Sequence, residues 1–501
     1  MTPRTTSAMD AGRLIVRGAQ ATAAGFAGRL AARLLFLFVA GRLFGKEAFG
    51  AYVLAVAAVE LAVSVGSLGM KKLIFQLLDG ARGDRPRAHI LLDAFLLVVL
   101  ASAIVGGGIA AAALLFPAAA AGGAAFAVAA LAPMVAGQSL LDLFLAATRW
   151  NHAIRFEVVA RSLVEPYALL IGATAAWALG LRETGLLVGY WCGTLAALLY
   201  AVAGARRIFG GFRLRSWRPR RATLVPALHL AGANTATDLL NALYTRVDLW
   251  IVGLVLGAGS AGVYGMAKQI AVPIRQVRQS FDGLLIPLVA RTLSTRGSQG
   301  SGEALASATR LVLVIQLPII VALFAAGRPL LDLLGTGFGA AYWPMLALAA
   351  AEAIQAAFSV GDLVFVYKKP QLGLWLTLVS IVIGVVAALL LVHPLGIAGA
   401  ALSVLAAYSV RAVMRSVVLR TLFHLDVPHS HHAGPFVAAA LGIAAVFAAR
   451  LSPLRLNLPL DPVPLVAGLG LYGLALAAWL SLRGQSLSLR GFTAEAERAA
   501  E

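Results

Sequence analysis

Apolar stretches of about twenty residues follow one another along almost the whole of this 501-residue chain, and each is long enough to cross about 30 Å of hydrocarbon as a helix. Inside hydrocarbon the backbone finds no water, so every N–H and C=O must be satisfied within a helix or a closed barrel. The short alternating segments of a barrel are absent. The chain therefore reads as an all-α polytopic membrane protein. Its composition agrees, with 60% hydrophobic and 13% charged residues against about 25% charged in soluble domains. The single cysteine, Cys192, excludes a disulfide framework and a cysteine-based metal site. The first 13 residues are polar, with Arg4 and Arg13, and the apolar run beyond them continues past position 40. That pattern predicts a first spanning helix rather than a cleaved signal peptide.

The stretches predict about fourteen transmembrane helices, at 14–40, 47–70, 88–116, 120–147, 156–179, 185–205, 224–256, 261–290, 304–326, 342–366, 372–391, 396–418, 434–450 and 463–482. Positive charge alternates across them. One set of loops carries Lys71, Lys72, Arg82, Arg85 and Arg87, then Arg149 and Arg155, then Lys368 and Lys369. The richest is RRIFGGFRLRSWRPRR, residues 206–221, with seven arginines. The opposite loops are sparse, with Arg42, Lys46, Arg182, Arg328, Arg450 and Arg455. Positive loops face the cytoplasm, which puts both termini there. A net charge of +19 raises the question of nucleic acid. The charges lie beside membrane spans, however, where topology and anionic lipid headgroups account for them. The basic segment 206–221 reads as a linker on the membrane surface.

Residues 41–55 read GRLFGKEAFGAYVLA and residues 253–267 read GLVLGAGSAGVYGMA, 212 positions later. Gly45 matches Gly257, Gly50 matches Gly262 and Tyr52 matches Tyr264. The two copies fall after the first and after the seventh predicted span. The repeat therefore divides the chain into two parallel six-helix lobes, 1–212 and 213–425, with two additional helices and a cytoplasmic tail in 426–501. Gly45 and Gly257 are suited to tight turns between helices, and Gly50 and Gly262 to close helix approach. Ahead of the last two helices HLDVPHSHH, residues 424–432, gathers four histidines, but their irregular spacing reads as a solvated loop.

Ionisable groups inside spans are costly and face a bundle interior or a water-filled cavity. Arg29 and Arg33 share one face of the first span. Lys268, Arg275, Arg278 and Asp282 form one stripe on the eighth. These cations, Arg29, Arg33, Lys268, Arg275 and Arg278, are the candidate substrate-cavity residues, because forked guanidinium donors suit phosphate oxygens. The seventh span carries Asp238, Asn241, Arg246 and Asp248, which read as an inter-helix polar network. Acidic and amide positions recur at Glu60, Asp93, Gln138, Asp142, Glu157, Glu165, Gln316, Glu352, Gln355 and Asp362. There is no HExxH, no GxxxxGK[ST] and no GxSxG, so no enzyme class is indicated and no ATPase drives the chain. No cofactor is expected, and coupling to an ion gradient is left open.

Three segments carry a family resemblance: FGKEAFGAYVLAVAAVELAVSVGSLGMKKLI at 44–74, TRVDLWIVGLVLGAGSAGVYGMAKQIAVPIRQVRQSFDGLLIPLVARTLS at 245–294, and PLGIAGAALSVLAAYSVRAVMRSVVLR at 394–420. In that order they resemble the bacterial polysaccharide biosynthesis transporters, or O-antigen flippases, of the multidrug/oligosaccharidyl-lipid/polysaccharide exporter superfamily. The resemblance implies two six-helix lobes in a V around a central cavity that opens alternately to the two sides. It implies a polyprenyl-diphosphate-linked oligosaccharide as substrate, carried for O-antigen or exopolysaccharide synthesis beside a polymerase or glycosyltransferase machinery. Arg246 and Asp248, in TRVD, match the family's Arg-x-Asp stretch at the end of helix seven. The alternatives are a peptidoglycan-precursor flippase, also cationic within, and a multidrug/cation antiporter, whose acidic cavity fits the basic stripe less well.

Overall fold

The computed structural model describes residues 28–80, 86–116, 124–212, 214–280, 297–362, 364–365, 369–425, 430–452 and 461–482. Arg4, Arg13, the arginines at 82 and 85, Asp282, residues 426–429 of the histidine-rich segment and the tail beyond 482 lie outside them. Among the described residues every regular element is helical. Among the described residues eleven helices are long and apolar enough to cross a membrane, or twelve when a pair bent by 43° is taken as one crossing.

The chain runs as α1 (28–39), α2 (Gly45–Gly66), α3 (Met70–Asp79), α4 (Arg87–Leu115), α5 (Ala125–Leu131), α6 (Met134–Trp150), α7 (Arg155–Ala178) and α8 (Gly185–Phe209). It continues as α9 (221–256), α10 (258–280), α11 (Gly297–Leu334), α12 (Tyr342–Phe358), α13 (Pro370–Leu395), α14 (Ile397–Leu422), α15 (Ser430–Leu451) and α16 (Pro462–Leu482). The expected span 120–147 is the bent pair, α5 and α6, broken at Pro133. A proline amide cannot continue the ladder, so the axis turns there. The expected loop after span two instead holds the amphipathic α3. It buries Met70, Leu73, Ile74 and Leu78 and turns Lys71 and Lys72 outward.

Two breaks are the same break. Gly45 has φ 77° and ψ 177°, and Gly257 has φ 83° and ψ 173°. This backbone region is open essentially to glycine alone, so the duplicated glycine makes the same joint in each copy: α1 to α2, and α9 to α10.

The chain forms two compact units. The first holds residues 1–246 with 257–262, and the second holds 247–256 with 263–501. In the first, α3, α4, α6 and α8 bury Ile74, Leu91, Leu141, Ala147 and Ala201. The start of the basic segment belongs to this unit. Trp217 donates its indole N–H to the fully buried Asp93 of α4 at 2.9 Å, which pins the segment beneath the helices and leaves Arg215, Arg218, Arg220 and Arg221 exposed.

In the second unit α15 and α16 pack on α11, which has Pro318 and Pro329 in its interior. Each proline lacks the N–H that the carbonyl four residues earlier needs. Those carbonyls belong to Val314 and Ala325, and the last two helices supply the missing donors. Tyr472 of α16 donates its hydroxyl to Val314 O at 2.9 Å. Arg450 of α15 donates to Ala325 O at 3.1 Å and to Phe324 O at 2.7 Å, with its guanidinium over the Phe324 ring. Hydrocarbon offers no substitute donor. The variants Arg450→Leu and Tyr472→Phe are therefore each expected to lose about 1–3 kcal/mol, read as a lower melting temperature of purified protein. An unchanged melting temperature in both would show that these two carbonyls need no such donors.

Candidate functional site

The first unit carries a polar centre on helices long and apolar enough to cross a membrane. Helix α7 contains one π-helical turn, Ala160–Val164, a departure from α geometry that recurs at functional sites. Arg161 stands in it. One guanidinium nitrogen bonds Asp142 of α6. The other bonds Glu165, 2.8 Å away and one turn on, and Gln138 of α6 at 3.1 Å. Gln138 closes the ring by donating to Glu165 at 3.0 Å and to Thr194 of α8 at 3.1 Å. The side chains of Arg161, Asp142 and Glu165 are 29%, 26% and 20% exposed, so the cluster borders open space.

Arg29 is exposed and stands near enough to Arg161 and Glu165 to feel both charges. Tyr167 of α7 reaches Gly28 O at 3.5 Å, which brings α1 beside this centre. Next to it Arg246 pairs with Glu60 of α2. The buried Tyr52 and Tyr190, with ring centroids 6.3 Å apart, both feel the charges of Glu60 and Glu165, and Tyr52 feels those of Arg33 and Arg246 as well. Among the described residues, four arginines, Arg29, Arg33, Arg161 and Arg246, thus meet three carboxylates, Glu60, Asp142 and Glu165.

The second unit has its own ion pairs. Lys268 of α10 donates to both carboxylate oxygens of Asp248, at 2.6 and 2.7 Å, and Tyr264 donates its hydroxyl to the same group at 2.5 Å. All three residues are buried. Arg275 lies 3.6 Å from Glu352 of α12, and Arg278 is half-buried one turn on. On α14, Arg415 is 1% exposed and grips Asp362 with two nitrogens at 2.7 and 2.9 Å, while Arg411 stands 3.7 Å away.

Of the five candidate cavity cations, Arg29 and Arg33 thus lie in the first unit's polar centre, and Lys268, Arg275 and Arg278 in the second unit. Lys268 is engaged by Asp248. Asp238 is held between Lys71 and Lys72 of α3, at 3.2 and 2.8 Å, and Arg246 ties α9 to α2. Asn241 is exposed, and its carbonyl accepts from Thr245. Sequence reasoning passed over Arg161, although Arg161 and Glu165 at i and i+4 inside an apolar span were a visible signal. Arg411 and Arg415 of α14 are both buried beside Asp362. Among the described residues no group of three His, Cys, Asp or Glu stands close enough to hold a metal ion.

Comparison with known proteins adds the lineage. The family model described as polysaccharide biosynthesis protein matches residues 39–346. The lipopolysaccharide biosynthesis protein WzxC of Escherichia coli (strain K12) is 27% identical over 169 residues, which is 32% of this chain and 33% of that protein. The chain thus matches about a third of the length of that curated relative. Among solved structures, the lipid II flippase MurJ in an inward closed conformation superposes with TM-score 0.74 at 12% identity, over 91% of this chain and 99% of that one. A multidrug resistance MATE family transporter of the MOP superfamily, in its inward-facing conformation, gives TM-score 0.62 at 14% identity, over 80% and 94%. At these identities the two structures establish the fold. With more than half of its length matched by the family model, the chain belongs to the polysaccharide biosynthesis protein family, within the multidrug/oligosaccharidyl-lipid/polysaccharide exporter superfamily.

Proposed function

We propose that this protein is a flippase that carries a polyprenyl-diphosphate-linked saccharide across the bacterial inner membrane by alternating access. The observation that carries this reading is the excess of arginine over carboxylate around Tyr52 and Tyr190. A diphosphate leaving water needs replacement counter-charge, because an unpaired charge at membrane depth is expensive. Guanidinium forks meet phosphate oxygens with two donors each. Moderate, divided binding also lets the headgroup leave on the far side.

Helix count supports the two-lobe plan. The helical runs Gly28–Asp79 and Thr223–Gln279 hold 52 and 57 residues, more than one crossing requires, and each is broken at the duplicated glycine. Counting each as two crossings raises the twelve to fourteen, the number that two six-helix lobes, 1–212 and 213–425, and a final pair in 426–501 require.

Two loads share the diphosphate. The family description and the similarity to WzxC favour a polysaccharide repeat unit. The likeness in fold to a lipid II flippase, over nearly the whole of both chains, favours a peptidoglycan precursor. Complementation separates them: the chain is expressed in one host depleted of its lipid II flippase and in another lacking its repeat-unit flippase. Rescue of either supports the flippase reading and names the load. Rescue of neither, with properly inserted protein, removes it. In the rescued host, Arg29→Gln is expected to lower glycan export at least about tenfold, the scale of one lost charge-assisted contact, with insertion unchanged. Normal export by that variant would take Arg29 out of the path.

A further inference from the structure

The first unit also holds a cavity whose chemistry the arginine centre does not use. It is partly open and has a volume of about 510 Å³, within the about 300–1,000 Å³ usual for small-molecule sites. The joint between α1 and α2, the turn between α7 and α8 and the start of α5 build it, and every residue that lines it belongs to this unit. The loops that carry Arg42, Lys46 and Arg182 lie on the side that the charge alternation assigns to the exterior. The walls are of two kinds. Phe44 and Phe126 are aromatic, and Glu47, Arg182, Glu183 and Thr184 are polar. Tyr52 is shared: it lines the cavity and also feels the charges of the arginine centre.

The polar groups are placed and uncommitted. Glu47 stands in the first turn of α2, and its carboxylate rests on Gly259, where a built Cβ would lie 2.2 Å from Oε1. Phe44 rests likewise on Gly185, whose built Cβ would lie 2.6 Å from the ring. Thr184 occupies the N-cap position of α8, where a threonine hydroxyl ordinarily accepts from a backbone N–H, yet it makes no such bond. Among the described residues Glu47, Arg182 and Glu183 have no ion-pair or hydrogen-bond partner, and all three are exposed. Two carboxylates and one guanidinium leave the lining with one negative charge in excess, so a phosphate is repelled here and drawn to the arginines instead. A neutral sugar suits these walls. Neighbouring hydroxyls donate to a carboxylate, the guanidinium donates to hydroxyl and ring oxygens, and the apolar C–H face of a sugar ring packs on an aromatic side chain.

We infer that this cavity is an outer saccharide subsite, which holds sugar residues of the carried glycan on the exterior side while the diphosphate belongs to the arginine centre. Its charged groups face water, so solvent competes for each contact and affinity lies in the millimolar range. Weak holding suits a site on the way out, because what binds there must also leave. The excess negative charge makes the subsite selective: sugars that bear carboxylates are held less well than neutral ones.

This inference rests on the flippase reading, and its test stands apart from complementation. Purified full-length protein in phosphatidylglycerol nanodiscs, which carry neither sugar nor ammonium headgroups, is mixed with maltotriose, mannotriose or chitotriose. Saturation-transfer NMR reads binding of the free saccharide. At least one of these neutral trisaccharides is expected to bind, and trigalacturonate to bind at least about tenfold more weakly. Inorganic diphosphate in excess is expected to leave the saccharide in place. Glu47→Gln and Glu183→Gln are each expected to weaken binding about tenfold. Gly259→Ala removes no charged group and only turns the flexible Glu47 side chain aside, so it is expected to weaken binding several-fold with the melting temperature unchanged. Binding of no neutral trisaccharide by the folded wild type, equal binding of trigalacturonate, displacement by inorganic diphosphate, or full binding by the folded double variant Glu47→Gln with Glu183→Gln overturns the subsite. Displacement by glycerophosphoethanolamine also overturns it and makes the cavity a lipid-headgroup site. Each of these results leaves the flippase reading to complementation. The expected binding in a protein that rescues neither host removes the flippase reading and keeps the cavity as a saccharide site.

Discussion

Gly50→Ala is expected to lower the stability of the protein by about 3 kcal/mol or more, toward the upper end of what overpacking costs. A Cβ built on Gly50 lies 1.8 Å from Ala258 O, and one built on Gly262 lies 2.0 Å from Lys46 O. Both obstacles are backbone, so no side chain can rotate away. The arrangement is reciprocal: Lys46 and Gly50 occupy the same places in their copy of the repeat as Ala258 and Gly262 in theirs. Each copy thus presents a glycine to the other's carbonyl, and the repeated stretch recognises itself. A close crossing of this kind gives TM helices the packing that lipid does not supply. Gly108→Ala on α4 is the control, since nothing lies within 4 Å of its built Cβ. It is expected to be neutral or stabilising by up to about 1 kcal/mol. The measurement is thermal unfolding of both variants in detergent. A Gly50→Ala protein as stable as the control would show that this crossing opens without cost.

Legibility in the sequence followed the range of the interaction. Spans were readable because each is long, contiguous and dictated by the solvent it faces. The glycines were readable because the repeat marked them twice, and a positive φ or a close approach needs glycine whatever surrounds it. What escaped notice depended on contacts between distant segments. Trp217 and Asp93 are 124 residues apart, and nothing in either stretch names the other. Pro318 and Pro329 announce two missing N–H donors, but not that Tyr472 and Arg450 would replace them. The charges show the same limit. Composition revealed a surplus of cations within the spans, and it could not reveal that Lys268 is buried in an ion pair while Arg161 borders open space. A bundle decides that by helix rotation, which the local pattern leaves free where a helix is apolar all round.

Asp248→Ala is expected to destabilise the protein by about 3–5 kcal/mol, the cost of removing one partner from a buried ion pair. Lys268 and Tyr264 both donate to this carboxylate, and both are buried, at 9% and 0% exposure. The substitution therefore takes from an ammonium and a phenol the acceptor they share, and neither has open water within reach. Removing the charge from both sides has a different consequence. In the double variant Asp248→Asn with Lys268→Met the Asn oxygen still accepts from Tyr264, and no ammonium is left to solvate. Replacing a buried pair by neutral groups of similar volume is often neutral or stabilising, so this variant is expected to recover most of the lost stability. Its transport activity then decides what Lys268 does. Near-normal glycan export by the recovered variant assigns the pair to holding α9 and α10 in place, and leaves the diphosphate to the arginines of the first unit. Lost export in a protein of restored stability returns Lys268 to the substrate path, with Asp248 as its counter-ion.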